Sequence, residues 1–402
     1  MRHLLKMTRK VYRERGLKNL VLRVSSYGVD FVKASFIGSG DVLYVSGCPG
    51  GSRLYRCVNQ AEELSRYGLK SVIISQDMLR ISVVKKFRAF VFQRVVFNKH
   101  IRHMMDEIKR QGKPILFETD DLVFDPSYLP QMDYYNHMGA EEKSWYDNGI
   151  GREVLEDPYV RECIVSTDFL AEAMKKRYPD KQVFVLYNKL NQKQVKMAEK
   201  AFARKQSLMS RDGKIRIGYF SGSKSHNRDF EVVAPILLKK LQADKNIILR
   251  VVGHLDLGME FDAVKDQIEV IRFVSLKKLQ ELIASVDINI APLEIENPFC
   301  QAKSALKYFE SGILGVPTVA TATSDFVRCI RDGANGFVAY NVTDWDEKLT
   351  QLIEDTSLRE AMGLVAREDT LLHHTTATKD KSTSMLAEIL ARKDRNVVST
   401  KA

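Results

Sequence analysis

From residue 41 onward, short apolar runs ending in glycine or polar residues alternate with stretches of helical period, and the alternation occurs twice. The first series of strand candidates is DVLYVSG (41–47), KSVIIS (70–75), AFVFQRVV (89–96), PILFETDD (114–121), RECIVST (161–167) and QVFVLYN (182–188). Runs this apolar belong to sheets covered on both faces, and the helices between them, such as RCVNQAEELSRYG (56–68) closed by Gly68, supply the crossovers that parallel strands require. The second series restarts at KIRIGYFSGS (214–223) and continues through NIILRVVGH (246–254), QIEVIRFV (267–274), INIAPL (288–293), VPTVAT (316–321) and GFVAY (336–340). Helices are expected at 230–242, 276–287 and 304–315. The pattern predicts an α/β chain of two Rossmann-like domains facing a cleft, with a ligand at the carboxyl ends of the strands. The expected divisions are a basic amphipathic segment over 1–35, a first domain over 36–200, a second over 201–378 and a C-terminal helix and tail over 379–402. The lysine-rich stretch 190–213 marks the boundary, and 126–160, rich in Tyr, Asp and Met, reads as a helical insertion.

Composition narrows the function classes. A chain of 402 residues, 45% hydrophobic and 28% charged, has ample core for two domains. No run of 18 apolar residues is long enough to span a membrane. Five cysteines lie far apart with no C-x-x-C, and the eight histidines show no H-E-x-x-H, so neither a disulfide framework nor a metal site is expected. The absence of G-x-x-x-x-G-K-[ST] and of G-x-G-x-x-G removes the main support for an ATPase or a dehydrogenase. Net charge is +11, and residues 1–24 carry eight Lys/Arg against the single acid Glu14. This segment fits an anionic membrane surface, a solvated helix packed on the body, or an organellar presequence, but not a signal peptide. A cytoplasmic place is expected, peripheral on the inner face of the plasma membrane if the segment binds lipid. No aromatic–basic platform favours nucleic acid as a partner.

The residues that carry chemistry cluster in NPFCQAKSALKYFESGILGVPTVAT (297–321). A polar loop feeds a helix expected to hold Lys303 and Ser304 in its first turn, with Ser304 as N-cap. Free amides there, with Lys303 and Lys307, would attract a diphosphate, and Glu310 two turns on would accept the two hydroxyls of a ribose. The same pattern also fits a surface helix with solvated lysines. The loop Gly222, Ser223, Lys224, Ser225, His226, Asn227, Arg228 brings together the cations Lys224 and Arg228, or forms a solvated turn in which Asp229 caps the next helix. Asp120 and Asp121 end a strand at the cleft and suit a metal, a general base or anchors for acceptor hydroxyls; Asp121 suits a cap equally. Gly50 and Gly51 lie beside Arg53; Arg53 and Arg56 fit an acceptor phosphate or surface ion pairs, and His254, after a strand ending in Gly253, fits a turn histidine or the lining of a base pocket.

These blocks resemble the retaining nucleotide-sugar glycosyltransferases of the group-1 type, family 4, of GT-B fold. They are closest to a subset with a K-S-x-L-K-Y-x-E block found in bacterial surface-polysaccharide assembly. KSALKYFE (303–310), GYFSGSKSHNRDF (218–230) and VDINIAPL (286–293) carry the likeness, with GSRLYRCVNQAEELSRYG and ETDDLVFD in the first half. The resemblance implies a nucleotide-sugar donor as substrate, no further cofactor, retention, and a polysaccharide or lipid-linked glycan acceptor in cell-envelope synthesis. Carried over, Glu310 is the second acid of E-x7-E and holds the ribose. The first acid would fall at 302, where this chain has Ala302, so Glu294 or Glu296 is expected to reach the sugar. Ser223, Lys224, His226 and Arg228 fall in the diphosphate loop, Gly51 approaches the phosphates, and Asp120 orients the acceptor. Two other readings stand beside it: an epimerase or phosphorylase on the same scaffold, and a non-catalytic basic binding protein.

Overall fold

The computed structural model describes residues 37–208, 212–222 and 227–391, so the basic segment over 1–35 and the end of the tail lie outside the described residues. Two six-stranded sheets form two lobes, and every strand pair in both is parallel. The first contains β1 (Val42–Ser46), β2 (Ser71–Ser75), β3 (Ala89–Gln93), β4 (Ile115–Thr119), β5 (Glu162–Val165) and β6 (Gln182–Val185), in the order β2-β1-β3-β4-β5-β6. The second contains β7 (Ile215–Ser221), β8 (Ile247–Gly253), β9 (Ile268–Ile271), β10 (Ile288–Ala291), β11 (Thr318–Thr321) and β12 (Phe337–Ala339), in the order β12-β11-β10-β7-β8-β9. All twelve expected strands form. Each order reverses once, between β1 and β3 in one sheet and between β7 and β10 in the other. Those reversals open the crevices where doubly wound sheets hold ligands.

Helices cover both faces, as the apolar strands require. The first, α1, runs without a break through Gly51–Arg53, a π-helical turn Leu54–Asn59 and Gln60–Ser65. In α2 (Lys99–Arg110) the side chain of Asn98 caps the amides of His100 and Ile101, and Ile101, Met104, Met105 and Ile108 share one buried face. Then follow α3 (Asp168–Arg177), α4 (Gln192–Ala203), α5 (Ala234–Ala243), α6 (Leu276–Ala284), α7 (Pro298–Gln301), α8 (Leu306–Gly312), α9 (Val342–Glu354), α10 (Thr356–His373) and α11 (Lys381–Ala391). The helix expected over 230–242 is broken, because Pro235 enters the first turn of α5 and ends the short helix Asn227–Glu231 before it. The stretch 126–160 is the expected helical insertion, made of the short helices Pro126–Gln131, Asp133–His137 and Arg152–Leu155 and the eight-residue α-helix Ala140–Asp147.

Around the expected boundary at 190–213 the chain is not a loose linker. Asn191 and Gln194 build a capping box, and α4 buries Val195, Ala198 and Ala201 in the core of the second lobe. At the other end the chain returns to the first lobe, where α11 buries Leu386, Ala387 and Leu390 against Tyr44, Leu64 and Phe184. The two crossings meet at Lys189, which pairs with Glu63 of α1 and with Asp380, both at 2.5 Å. No helix among the described residues is long and apolar enough to cross a membrane.

Leu386 is fully buried. Leu386→Ala is expected to cost about 3 kcal/mol in denaturant unfolding; a loss below about 1 kcal/mol, the range of an unburied site, would mean that α11 does not pack on the first lobe in solution.

Candidate functional site

A cavity of about 690 Å³ lies between the lobes where the two sheet reversals face each other. Gly51, Leu54, Tyr55, Asp120 and Asn188 line it from the first lobe, and Gly222, Lys303, Ser304, Lys307 and Glu310 from the second. The turns that open it need glycine at two close approaches. A Cβ on Gly47 would lie 2.0 Å from the Arg94 carbonyl, and one on Gly253, at φ 108°, would lie 1.9 Å from that of Ser221.

The second lobe supplies positive charge. Lys307 Nζ is buried without a hydrogen-bond partner and lies 4.7 Å above the Tyr219 ring. Burial pulls its pKa down to about 8, against the opposing pull of the nearby Asp229 carboxylate. Lys303 Nζ lies 3.0 Å from Asp229 Oδ2, and the Cys300 thiol donates to Asp229 Oδ1 at 3.1 Å. Asp229, Glu294 and Cys300 bring potential ligand atoms within 4.8 Å of one another, but Lys303 already brings a cation to that group.

The helix start differs from the sequence expectation. Lys303 and Ser304 lie in the turn between α7 and α8, and the cap of α8 is Ala305, not Ser304. Asp325, twenty residues on, accepts the Ala305 amide at 2.7 Å, and the Leu306 amide donates to the Ser304 carbonyl. Ser304 Oγ instead accepts from Asn188 Nδ2 at 2.7 Å, across the lobes. Lys303 and Lys307 bring positive charge to this end, where the Ala305 and Leu306 amides are already taken.

Glu310 projects from α8 into the cavity, and its Oε1 accepts from the Tyr55 hydroxyl at 2.5 Å. Burial raises its pKa, while the Tyr55 hydrogen bond and Lys307 hold it down in part. Opposite stands Asp120. Burial would raise its pKa, but the Arg94 guanidinium, 3.2 Å away, holds it below the usual carboxylate value. Asp120 is therefore a fixed anion, suited to accept from a hydroxyl and poorly suited to take a proton. Asp121 does not line the cavity; it caps the turn Leu122–Phe124 by accepting the Leu122 amide, and burial raises its pKa.

Other sequence candidates lie elsewhere. Arg56 is fully buried, with Nε 2.5 Å from Glu118 Oε1 and Nη1 donating to Leu186 O and Asn188 Oδ1, so it forms no surface pair and meets no acceptor. Arg53, His254, Glu294 and Glu296 do not line the cavity. Arg228 is exposed, 3.4 Å from Asp133 of the first lobe, and also lies outside the lining. Ala302 packs into the first lobe's core with its carbonyl accepting from Thr167 Oγ1, so position 302 faces away from the cavity and no acid there would reach it. Ser223, Lys224 and His226 lie outside the described residues.

Sequence reading missed Tyr55, Asn188 and Arg94. The run AFVFQRVV places Arg94 in mid-strand; in fact β3 ends at Gln93, and Arg94 is the only non-glycine with positive φ, 45°, among the described residues. Such a conformation costs on the order of 1 kcal/mol and persists where the surroundings hold it, here Asp120 and Asp121.

Residues 215–355 match the family model for group 1 glycosyl transferases, so the second lobe carries a glycosyl transferase group 1 domain. No curated protein matches the sequence. Among solved structures, Anabaena HepE in complex with UDP and glucose superposes with a TM-score of 0.58 at 14% identity, over 87% of this chain and 98% of that one. Sucrose-phosphate synthase from Thermosynechococcus elongatus gives 0.59 at 12% identity, over 87% and 97%. WaaG, a glycosyltransferase involved in lipopolysaccharide biosynthesis, gives 0.55 at 14% identity, over 87% and 99%. The shared architecture is the GT-B fold.

A bound anion stabilises the Lys307 ammonium, so affinity is full below the free-state pKa of about 8 and declines above it. Pyrophosphate affinity, measured by calorimetry across this range, is expected to fall about tenfold per pH unit above 8, and Lys307→Met to abolish that limb. A flat profile in the unaltered protein would remove Lys307 from the anion site.

Proposed function

We propose that this glycosyltransferase takes its sugar from a nucleoside diphosphate sugar held mainly by the second lobe and passes it to a hydroxyl presented at Asp120. The observation that carries the reading is the convergence of Glu310, Lys307 and Lys303 from one lobe with the ionised Asp120 of the other on a single cavity. As the bond to the sugar breaks, negative charge grows on the diphosphate. Lys307, already desolvated in the cavity, meets that charge without reorganisation. A carboxylate on α8 suits the donor ribose, and the Arg94-held Asp120 suits an acceptor hydroxyl. UDP is the first nucleotide to try, since HepE was solved with it. Retention of configuration follows from the K-S-x-L-K-Y-x-E resemblance, as does a polysaccharide or lipid-linked glycan acceptor. The cationic segment over residues 1–24 suits an acceptor displayed at an anionic membrane. The group 1 domain gives the epimerase, phosphorylase and nucleic-acid-binding readings no support.

A thermal-shift panel of UDP-, GDP- and dTDP-sugars tests the donor assignment. One ligand at ~100 Kd is expected to stabilise the fold by about 2.7 kcal/mol. Glu310→Ala should remove the shift, whereas Glu281→Ala, on the Lys278 side of α6 and outside the cavity, should leave it. A full shift with Glu310→Ala would overturn the assignment. On the acceptor side, Asp120→Asn is expected to lower transfer about tenfold, the loss of one hydrogen bond to a charged group, with donor affinity nearly unchanged, as read by steady-state kinetics with UDP-sugar binding as the control.

A further inference from the structure

We infer that Tyr55, a first-lobe residue, is the positioning residue for Glu310: its hydroxyl holds one carboxylate oxygen and so sets the direction in which the other is presented to the nucleotide's pentose. The inference rests on the donor reading above.

Tyr55 lies in the π-helical turn of α1 and is only 6% exposed, and its ring is packed in the second lobe's core with Leu190, Ile283 and Phe309. The ring therefore cannot swing aside as a gate would. Its hydroxyl is fixed from two sides, donating to Glu310 Oε1 at 2.5 Å and accepting from Gln194 Nε2 at 3.0 Å. Gln194 is pinned in turn, with its Oε1 accepting from the Asn191 amide and from Asn59 Nδ2 at 2.8 Å. Asn59 belongs to the same π-helical turn as Tyr55. A chain of buried hydrogen bonds thus starts and ends on one turn of the first lobe and delivers a single phenol to an acid of the second. Such buried side-chain networks rigidify what they hold.

The other oxygen, Glu310 Oε2, makes no hydrogen bond to any described residue, and Glu310 lines the cavity. Oε1 keeps a further acceptor site beside the Tyr55 hydroxyl, while Oε2 is wholly open to a ligand. One oxygen faces the ligand, with its direction set by Tyr55. The π-helical turn sets where that phenol enters, consistent with the placement of such turns at functional sites. Because Tyr55 and Glu310 belong to different lobes, the acid is correctly aimed only when the lobes are in this arrangement.

The test is Tyr55→Phe in the full chain, which keeps the ring and its packing and deletes the hydroxyl. UDP is the probe for calorimetry, with 2′-deoxy-UDP beside it, and UDP-sugar for kinetics. The Kd for UDP and the donor KM are expected to rise about tenfold, the loss of one hydrogen bond to a charged group, while kcat falls at most about twofold. The preference for UDP over its 2′-deoxy analogue should shrink, because an unaimed carboxylate reads the pentose less well. A purely structural role would lower the melting temperature and leave that preference and the KM-to-kcat split untouched; that result overturns the inference. Should Tyr55→Phe fail to fold, Gln194→Met, which removes the hydroxyl's second anchor and leaves its bond to Glu310, is expected to shrink the preference for UDP over its 2′-deoxy analogue in the same direction, and an unchanged preference overturns the inference. If the unaltered protein binds UDP and Glu310→Gln weakens it but Tyr55→Phe does not, the positioning role alone is refuted. If the unaltered protein does not bind UDP, the donor reading falls with it.

Discussion

The guanidinium of Arg56 is the interaction on which the two-lobed site depends. Fully buried in α1, it binds Glu118 at the end of β4 and the Leu186 carbonyl beyond β6. It also binds Asn188, whose amide reaches Ser304 in the second lobe. A charge taken this far from water is tolerated only when paired and hydrogen-bonded, and losing one partner of such a pair typically costs about 3–5 kcal/mol. One side chain thus ties the first helix to the carboxyl edge of its sheet and to the chain crossing between lobes. The π-helical turn that carries Arg56 also carries Tyr55 and Asn59, so the same local departure from α-helical geometry organises both the core and the cavity wall.

Across the cavity the electrostatics are divided by lobe. The second lobe brings Lys303 and Lys307 to one wall, the latter desolvated and without a hydrogen-bond partner. The first lobe brings Asp120, kept anionic by Arg94. An anionic leaving group and a neutral hydroxyl would each meet the sign of charge that suits it. Water would screen the same charges on an open surface, and enclosure between two lobes is what gives them reach.

Much of this was legible in the chain. All twelve strands announced themselves because strands covered on both faces must be apolar throughout, and runs such as VLYVS and AFVFQ have no competing helical reading at that length. Glu310, Lys303, Lys307 and Asp120 were found by type and spacing, and the structure brings them to one cavity. The misassignments have a common cause. Ser304 has the chemistry of an N-cap, but Asp325 takes the amide it would have flanked a residue away. Arg56 looked like a surface cation because nothing local shows that Glu118, sixty-two residues on, lies beside it.

What the residues alone determined is the order of strands and helices, the doubling of that pattern and the set of side chains able to handle a charged ligand. Each of these depends on periodicity or on chemistry within a few residues. Only the tertiary structure decided which of those side chains face one another. The Tyr55–Glu310 contact spans 255 positions, and Arg94 meets Asp120 only because β3 and β4 are neighbours that end together. Pairings across lobes are made by packing, and packing depends on the whole chain at once rather than on any local stretch of it.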